Sequence, residues 1–448
     1  MTDDAPRLAD TSSREILRLA VPAFLALVAE PLFLLVDSAV VGRLGVAPLA
    51  GLGAASAVLL TLSGLFVFLA YGTTGAVARR LGAGEQRQAI EDGWSGVWLA
   101  LLLGSLAAVV CATWAHPFAA AVGGSPAVLD QATTYLRISA LGLPAMLVVL
   151  AATGVLRGLL DTTTPLVVAT VGFGANAALN IALVHGVGLG IAGAAWGTVI
   201  AQVGMALALV TVVARRARRE GASARLRLGG VVRAARDGVP LLVRTLALRA
   251  VLLLTVTVAA QLGDVPLAAH QVTMTIWSTL TFALDALAIA AQALTGRALG
   301  QGDRAAVREA TTTMTRWGLW CGVVLGLIVA AAHRVLPVAF TSDEGVRAAI
   351  AAALLVVAAG QPLSGVVFVV DGVLIGAGDG RWLAVAGTVV LLAYLPMLWL
   401  AREMAQGRGA AEGLAVLWVG FTGFMLVRWA TLWWRVRGEG WMVTGAVR

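Results

Sequence analysis

The sequence has few of the charged residues that a water-soluble protein needs. Only 12% of its 448 residues are charged, whereas about 25% is usual in soluble domains. Hydrophobic residues make up 59%, and the mean hydropathy is +0.90. Such a chain cannot cover a globule in water with polar side chains, and the same numbers exclude intrinsic disorder and a collagen repeat. They predict a polytopic α-helical membrane protein.

Cysteine, histidine and lysine are scarce or absent, and each shortage excludes a class of site. The two cysteines, Cys111 and Cys321, lie in apolar stretches and allow neither a disulfide framework nor a cysteine metal site. Four dispersed histidines give no metal-ligand spacing. All 32 basic residues are arginine, so the glycine-rich stretch LGAGE at 81–85 lacks the lysine of a P-loop. We therefore expect no cofactor, no metal and no nucleic-acid partner, because arginine in loops explains the net charge of +8.

Apolar runs of about 20 residues, the length that crosses a bilayer, occur about twelve times. In the first half they lie near 15–40, 49–78, 94–115, 127–153, 165–185 and 190–213. In the second half they lie near 238–260, 267–295, 316–333, 346–371, 382–401 and 411–434. The sequence thus predicts a bundle of about twelve transmembrane helices, with boundaries uncertain by about 2–4 residues.

Arginine is distributed unequally between the two sides of these spans. With the N-terminus inside, the outer segments hold only Arg43, Arg334, Arg347, Arg402 and Arg408. Because cytoplasmic loops retain arginine, both termini are predicted to be cytoplasmic and the protein to lie in the plasma membrane. The loop at 214–237 carries eight arginines. It is interpreted as a topology anchor that could also touch anionic lipid.

An internal repeat relates the two halves at a constant offset of 218 residues. It pairs LGAGE at 81–85 with LGQGD at 299–303, GVLRGLLD at 154–161 with GVLIGAGD at 372–379, and Pro22 with Pro240. Six spans return the chain to its starting side, so the two repeats share one orientation. We expect two six-helix lobes related by a pseudo-two-fold axis along the membrane normal. The predicted domains are a lobe at 14–213, a cytoplasmic arginine-rich linker at 214–237 and a lobe at 238–436.

Several motifs resemble those of one transporter family. AEPLFLLVDSAVVGRLGVAPLAGLG at 29–53 and AQLGDVPLAAHQ at 260–271 resemble the first-span regions of the multidrug and toxic compound extrusion (MATE) family. ALDALAIAAQALTGRALGQGD at 283–303 and VVDGVLIGAGD at 369–379 resemble its DinF-type branch. The resemblance implies a twelve-helix antiporter that exports cationic or amphiphilic compounds by alternating access, driven by protons or Na⁺. Related proton-coupled members carry an aspartate where this chain has Asn180, which cannot titrate, so the resemblance leaves the first-lobe chemistry to Asp37 alone or with Glu30.

Two carboxylates lie in the first predicted span. A charge at mid-bilayer costs at least about 2.5–3.5 kcal/mol, so an ionisable residue there is a functional candidate. Asp37 and Glu30 are seven residues apart and share a helical face. Desolvation favours the neutral form of a carboxylate, which lets it exchange protons near neutral pH. Asp37 and Glu30 are therefore the predicted ion-coupling residues, although Asp37 could instead cap or anchor the outer end of the span.

Other polar residues within the predicted spans form a separate set in each lobe. The first-lobe polar pathway is predicted from Tyr135, Thr153, Asn176 and Asn180. The second lobe has a charged cluster of Arg244, Arg249, Asp285 and Asp371. Buried arginine needs a carboxylate partner, so Arg244 or Arg249 is expected to pair with Asp285 or Asp371. Interhelical packing in the first lobe and fixed ion pairs in the second are the alternatives to a role in transport.

These observations favour an ion-coupled exporter of small organic compounds, which is expected to work as a monomer in contact with membrane lipids. A flippase for a lipid or lipid-linked precursor is a second transport hypothesis. A membrane-embedded transferase is a third, but the longest loop offers no nucleophile, acid–base pair or metal site. The sequence therefore predicts that the protein is not an enzyme.

Overall fold

The computed structural model describes residues 13–447, apart from the side chains of Glu30 and residues 33–35. Within that range the chain is helical and contains no strand. The first half forms α1 (Ser13–Gly42), α2 (Val46–Phe66), α3 (Phe68–Gly82), α4 (Gln86–Thr113), α5 (Ala115–Val122), α6 (Pro126–Ala140), α7 (Leu143–Gly158), α8 (Thr163–Ile181), a π-helical turn (Ala182–Gly186) and α9 (Gly190–Arg219). The second half forms α10 (Leu228–Gln261), α11 (Asp264–Gly300), α12 (Arg304–Ala332), a 3₁₀ turn (Leu336–Ala339), α13 (Glu344–Gly376), α14 (Gly380–Ala405) and α15 (Ala410–Arg437).

The long helices coincide with the predicted membrane spans. Ten helical segments of the described chain are long and apolar enough to cross a bilayer, and a bent pair adds an eleventh. The first predicted run, 15–40, lies inside α1. The second predicted run is a helix of 37 residues interrupted at Val67, where α2 passes into α3.

The predicted span at 127–153 is bent. Helices α6 and α7 meet at an angle of 53°. Pro144 lies in the first turn of α7, where its missing N–H costs nothing, and Gly142 precedes that helix. The equivalent Pro362 of the second half lies inside the uninterrupted helix α13. A shared proline therefore lies at the start of a helix in one half and inside a helix in the other.

The described chain forms two compact units. The first comprises residues 21–238 with 445–447, and the second comprises residues 13–20 with 239–444. The borders after Ala20 and Gly238 are 218 residues apart, which is the offset of the sequence repeat. The first helix of each half therefore begins in one unit and continues in the other. Residues 214–237 belong to the first unit.

Small residues let helices approach closely within the second unit. Gly318, Gly322 and Gly326 repeat every four residues on α12, so they form a stripe on one face. A methyl group at Gly318 would lie 2.5 Å from the carbonyl oxygen of Gly365, and one at Gly326 would lie 2.6 Å from that of Ala358. Both partners are backbone atoms of α13, which cannot move aside as a flexible side chain would. Close packing of this kind is typical of membrane helices.

Candidate functional site

The centre of the candidate site is a contact between Asp37 and Asn180. Asp37 lies near the end of α1 and is 3% exposed, while Asn180, in the last turn of α8, is fully buried. The Nδ2 group of Asn180 donates a hydrogen bond to Oδ1 of Asp37. No arginine in the described part of the chain forms an ion pair with Asp37. A buried carboxylate that has only a neutral donor is costly to keep charged.

Local backbone features place Asn180. Helix α8 ends one residue later, and the chain continues as a π-helical turn, a feature that is frequent at functional sites. Gly197 on α9 faces the amide. A methyl group at Gly197 would collide with Oδ1 of Asn180, so the glycine supplies the space that the amide occupies.

A second group of polar side chains surrounds this pair. Asn176, one turn before Asn180, is buried and donates from Nδ2 to Oγ1 of Thr198 at 3.4 Å. The Thr198 hydroxyl in turn donates to the carbonyl oxygen of Ala194 at 3.0 Å. Tyr135, from α6, is buried against Thr198 and lies within the electrostatic field of Asp37. Side chains of α1, α6, α8 and α9 therefore meet at one place in the first unit.

Two oxygen atoms at this place have no hydrogen-bond donor among the described residues. They are Oδ1 of Asn176 and Oδ1 of Asn180, and both are buried. An orphaned buried acceptor is expensive and needs an explanation. Amide and carboxylate oxygens are ligands that hard cations prefer. The arrangement can therefore accept either a proton on Asp37 or a small cation.

The structure brings together four of the six residues predicted for the first lobe: Asp37, Tyr135, Asn176 and Asn180. Thr153 lies on α7 and takes no part in the hydrogen bonds described here. The Glu30 side chain is outside the described part of the structure. Sequence reasoning missed Thr198 and Gly197. Their only signal was a hydroxyl beside a glycine within an apolar run, and many membrane helices contain that pattern.

The second unit holds a buried aspartate with the opposite kind of surroundings. Asp371 on α13 is 6% exposed and contacts two guanidinium groups. Arg244 of α10 donates from Nε to Oδ1 at 3.1 Å and from its terminal nitrogen to Oδ2. Arg428 of α15 donates to Oδ2 at 3.1 Å and packs over the ring of Phe368. The carboxylate is therefore neutralised by fixed charges.

The other two charged residues predicted here are placed differently. Asp285 on α11 is partly buried and close enough to Arg428 to act on it electrostatically. Arg249, five residues after Arg244 on α10, is exposed and lies outside the Asp371 cluster. In the structure Arg244 is therefore the partner of Asp371, and Arg428 is a second partner of the same carboxylate.

Positions that are equivalent in the repeat carry a charged residue in one unit and a neutral residue in the other. Thr255 and Tyr394 follow Asp37 and Asn176 by 218 residues, and their hydroxyl oxygens are 2.8 Å apart in a buried hydrogen bond. Thr153 precedes Asp371 by the same offset. The buried carboxylate of Asp37 in one unit is thus replaced by a neutral hydroxyl pair in the other.

Comparison with known proteins identifies relatives along nearly the whole chain. The family model MatE matches residues 22–182 and 240–400, one match in each repeat. Protein DETOXIFICATION 44, chloroplastic, from Arabidopsis thaliana is 33% identical over 94% of this chain and 82% of its own length. DNA damage-inducible protein F from Escherichia coli is 28% identical over 94% of this chain and 91% of its own length.

A solved structure shows the same fold. The Vibrio cholerae MATE transporter VcmN in its bent form superposes with a TM-score of 0.85 at 22% sequence identity, over 96% of this chain and 98% of that one. The predicted fold class, an all-α polytopic membrane protein with two six-helix lobes, is therefore confirmed.

Proposed function

Because this chain belongs to the MatE family of transporters, we propose that it is a secondary active antiporter for small organic compounds. It exports cationic or amphiphilic molecules in exchange for protons or Na⁺. It works in the plasma membrane as a monomer with both termini in the cytoplasm. The observation that carries this proposal is the buried Asp37, whose only hydrogen-bond donor in the described structure is the neutral amide of Asn180.

Asp37 is the group through which the two flows are coupled. Its charge is uncompensated by any arginine of the described chain, so a proton or a cation that neutralises it lowers the free energy of the occupied state. A ligand shifts a conformational equilibrium only through different affinities for the two states. If the driving ion and the substrate both depend on the Asp37 charge, each favours release of the other.

The surroundings of Asp37 suit either driving ion. Protonation needs only the carboxylate of Asp37. Sodium would need further oxygen ligands, and the orphaned amide oxygens of Asn176 and Asn180 are candidates. Separate gradients are therefore part of the test.

Asp371 is given a different role. Two guanidinium groups hold its charge, and replacing that pairing by a transported ion would leave buried arginine unpaired. We assign it to the stability of the second unit and leave ion coupling to the first.

The test is transport in proteoliposomes that contain the purified full-length protein. Efflux of a fluorescent cationic dye is measured under an imposed proton gradient, under an imposed Na⁺ gradient and under neither. The proposal expects gradient-dependent efflux with wild-type protein and background efflux with Asp37→Asn. Gradient-independent movement of a labelled phospholipid, with no dye efflux under either gradient, would instead support a lipid flippase.

A further inference from the structure

The segment from Arg215 to Arg236, called here the basic segment, is fixed to the rest of its unit by two of its eight arginines. Arg216 pairs with Asp161, in the loop after α7. Arg227 donates from Nη1 to Glu91 on α4 at 2.5 Å. The same Glu91 accepts the backbone N–H of Ser223 at 3.1 Å.

A fourth tie comes from Trp98, whose ring N–H donates to the carbonyl oxygen of Ala224 at 3.0 Å. The loop between α9 and α10 is therefore held against α4 by several hydrogen bonds.

The other six arginines of the basic segment form no ion pair with any carboxylate in the described part of the chain. All six are exposed: Arg215, Arg218, Arg219, Arg225, Arg233 and Arg236. Two carboxylates, Asp161 and Glu91, lie within reach of the basic segment. Within this segment only Arg216 and Arg227 pair with them. These six residues, called here the outward arginines, are exposed on a backbone that is already fixed.

The apolar face of α9 leads directly to some of these arginines. Trp196, Ile200, Val203 and Leu207 are exposed and spaced by three or four residues, so they form the outward stripe of a membrane-spanning helix. Arg218 follows Leu207 by 11 residues, about three turns and roughly 16 Å, and so lies on the same face. Arg215, one turn earlier, lies beside it. Arg215 and Arg218 therefore lie at the end of the lipid-facing stripe.

The first turns of α10 repeat this arrangement. Leu228 and Val232 are 71% and 65% exposed, and Arg236 follows at the same spacing of four residues. Exposed apolar side chains and an unpaired arginine thus share one helical face. Arginine can lay its aliphatic stem along such a surface and keep its charged end in the polar layer.

We propose that the outward arginines of the basic segment form a binding surface for the phosphate headgroups of anionic phospholipids. The guanidinium fork matches phosphate oxygens in a bidentate geometry. The charges are complementary, and the neighbouring Leu228 and Val232 suit the acyl-chain boundary. This surface needs only the membrane-spanning fold and does not depend on the transported substrate or the driving ion.

The test uses the full-length protein in nanodiscs of phosphatidylcholine alone or mixed with phosphatidylglycerol. The midpoint of thermal unfolding is measured in both kinds of nanodisc, and the phosphatidylglycerol retained around the protein is quantified by mass spectrometry. The wild type should have a higher midpoint in the mixed lipid and should enrich phosphatidylglycerol. The variant Arg215→Gln/Arg218→Gln/Arg236→Gln should weaken this enrichment by up to about fivefold per arginine and keep its midpoint in phosphatidylcholine.

The paired arginines supply the matched control. Arg216→Gln/Arg227→Gln removes the same kind of charge but breaks the internal ties, so its midpoint should fall in both lipids while the enrichment persists. Arg215→Lys/Arg218→Lys/Arg236→Lys should retain most of the enrichment, and high salt should reduce it in the wild type. The proposal is overturned if the wild type shows no preference for phosphatidylglycerol, or if the triple Gln variant keeps the full preference.

Discussion

Two buried aspartates differ in the charges that surround them. Asp371 is held by Arg244 and Arg428, whereas Asp37 has the amide of Asn180 as its partner. In the low dielectric of a membrane protein, paired arginines compensate the cost of burying a carboxylate, and a neutral amide does not. This difference is the basis for proposing a structural role for Asp371 and an ion-coupling role for Asp37.

Asp37→Asn is expected to abolish gradient-driven efflux without unfolding the protein. The substitution keeps the shape of the side chain and removes a buried charge that no arginine of the described chain compensates. Dye efflux from proteoliposomes should fall to background, while the thermal midpoint should equal or exceed that of the wild type. A variant that transports at the wild-type rate would contradict the assignment.

Gly197→Ala is expected to impair the same site from a neighbouring helix. Its methyl group would collide with Oδ1 of Asn180, so the amide must turn or retreat from Asp37. Transport should fall, and Gly204→Ala, also on α9, is the control because a methyl group there meets nothing within 4 Å. Efflux is measured for both variants. Equal loss in the two would show that alanine on α9 is harmful for reasons unrelated to Asn180.

Asp371→Ala is expected to destabilise the protein strongly. Removing the carboxylate leaves Arg244 and Arg428 buried side by side, at a cost of about 3–5 kcal/mol. The thermal midpoint of purified protein should therefore drop well below that of Asp264→Ala, a control on an exposed aspartate at the start of α11. An unchanged midpoint would show that the ion pairs contribute no net stability.

The sequence predicted the members of the site better than their partners. Asp37, Asn176 and Asn180 were identifiable because polar residues are conspicuous in apolar runs. Which arginine would pair with which aspartate was open, since Arg244 and Arg249 are equally basic. The answer depends on helix rotation, which buries Arg244 and leaves Arg249 exposed. Thr198 gave too weak a signal to be selected.

Helix α12 shows how glycine spacing fixes the packing of a whole element. Gly318, Gly322 and Gly326 place the backbones of α12 and α13 in direct contact, and Gly365 of α13 returns the contact. The sequence predicted both helices from their apolar runs. It did not show which helix would lie beside which, because a small-residue stripe is complementary to many surfaces.

Gly322→Ala is expected to lower stability because the added methyl group would meet the backbone of Gln361 and Pro362. Neither atom belongs to a flexible side chain, so the helices must separate and lose contacts along the stripe. The thermal midpoint should fall relative to Gly53→Ala, a control in helix α2 that meets nothing within 4 Å. Similar midpoints for the two variants would argue that α12 and α13 can move apart freely.

At the scale of the whole molecule, the borders of the two compact units follow the sequence repeat. The offset that aligns the two halves also separates the unit borders after Ala20 and Gly238. Symmetry in sequence is thus retained in how each first helix is shared between units, while the charged positions have diverged. The repeat could be recognised in the sequence from its glycine, proline and charged residues. The division of α1 and α10 between the two units could not be predicted, because the sequence pattern of each helix shows no break at the border.

The arrangement of spans also carries a prediction about orientation. Ten described segments and one bent pair are long and apolar enough to cross a bilayer, and with α1 as the first predicted span each half would cross six times. With an even number of crossings in each half, we expect both termini and the basic segment to lie on the same side. Arginine is concentrated on that side, and positively charged segments stay in the cytoplasm.

Reporters fused after Arg219 and at the C-terminus should therefore both report cytoplasm, and reporters inserted after Arg43 or Arg334 should report the opposite side. A C-terminal reporter on the outer side would mean that one half crosses the membrane an odd number of times, which would overturn the shared orientation of the two repeats.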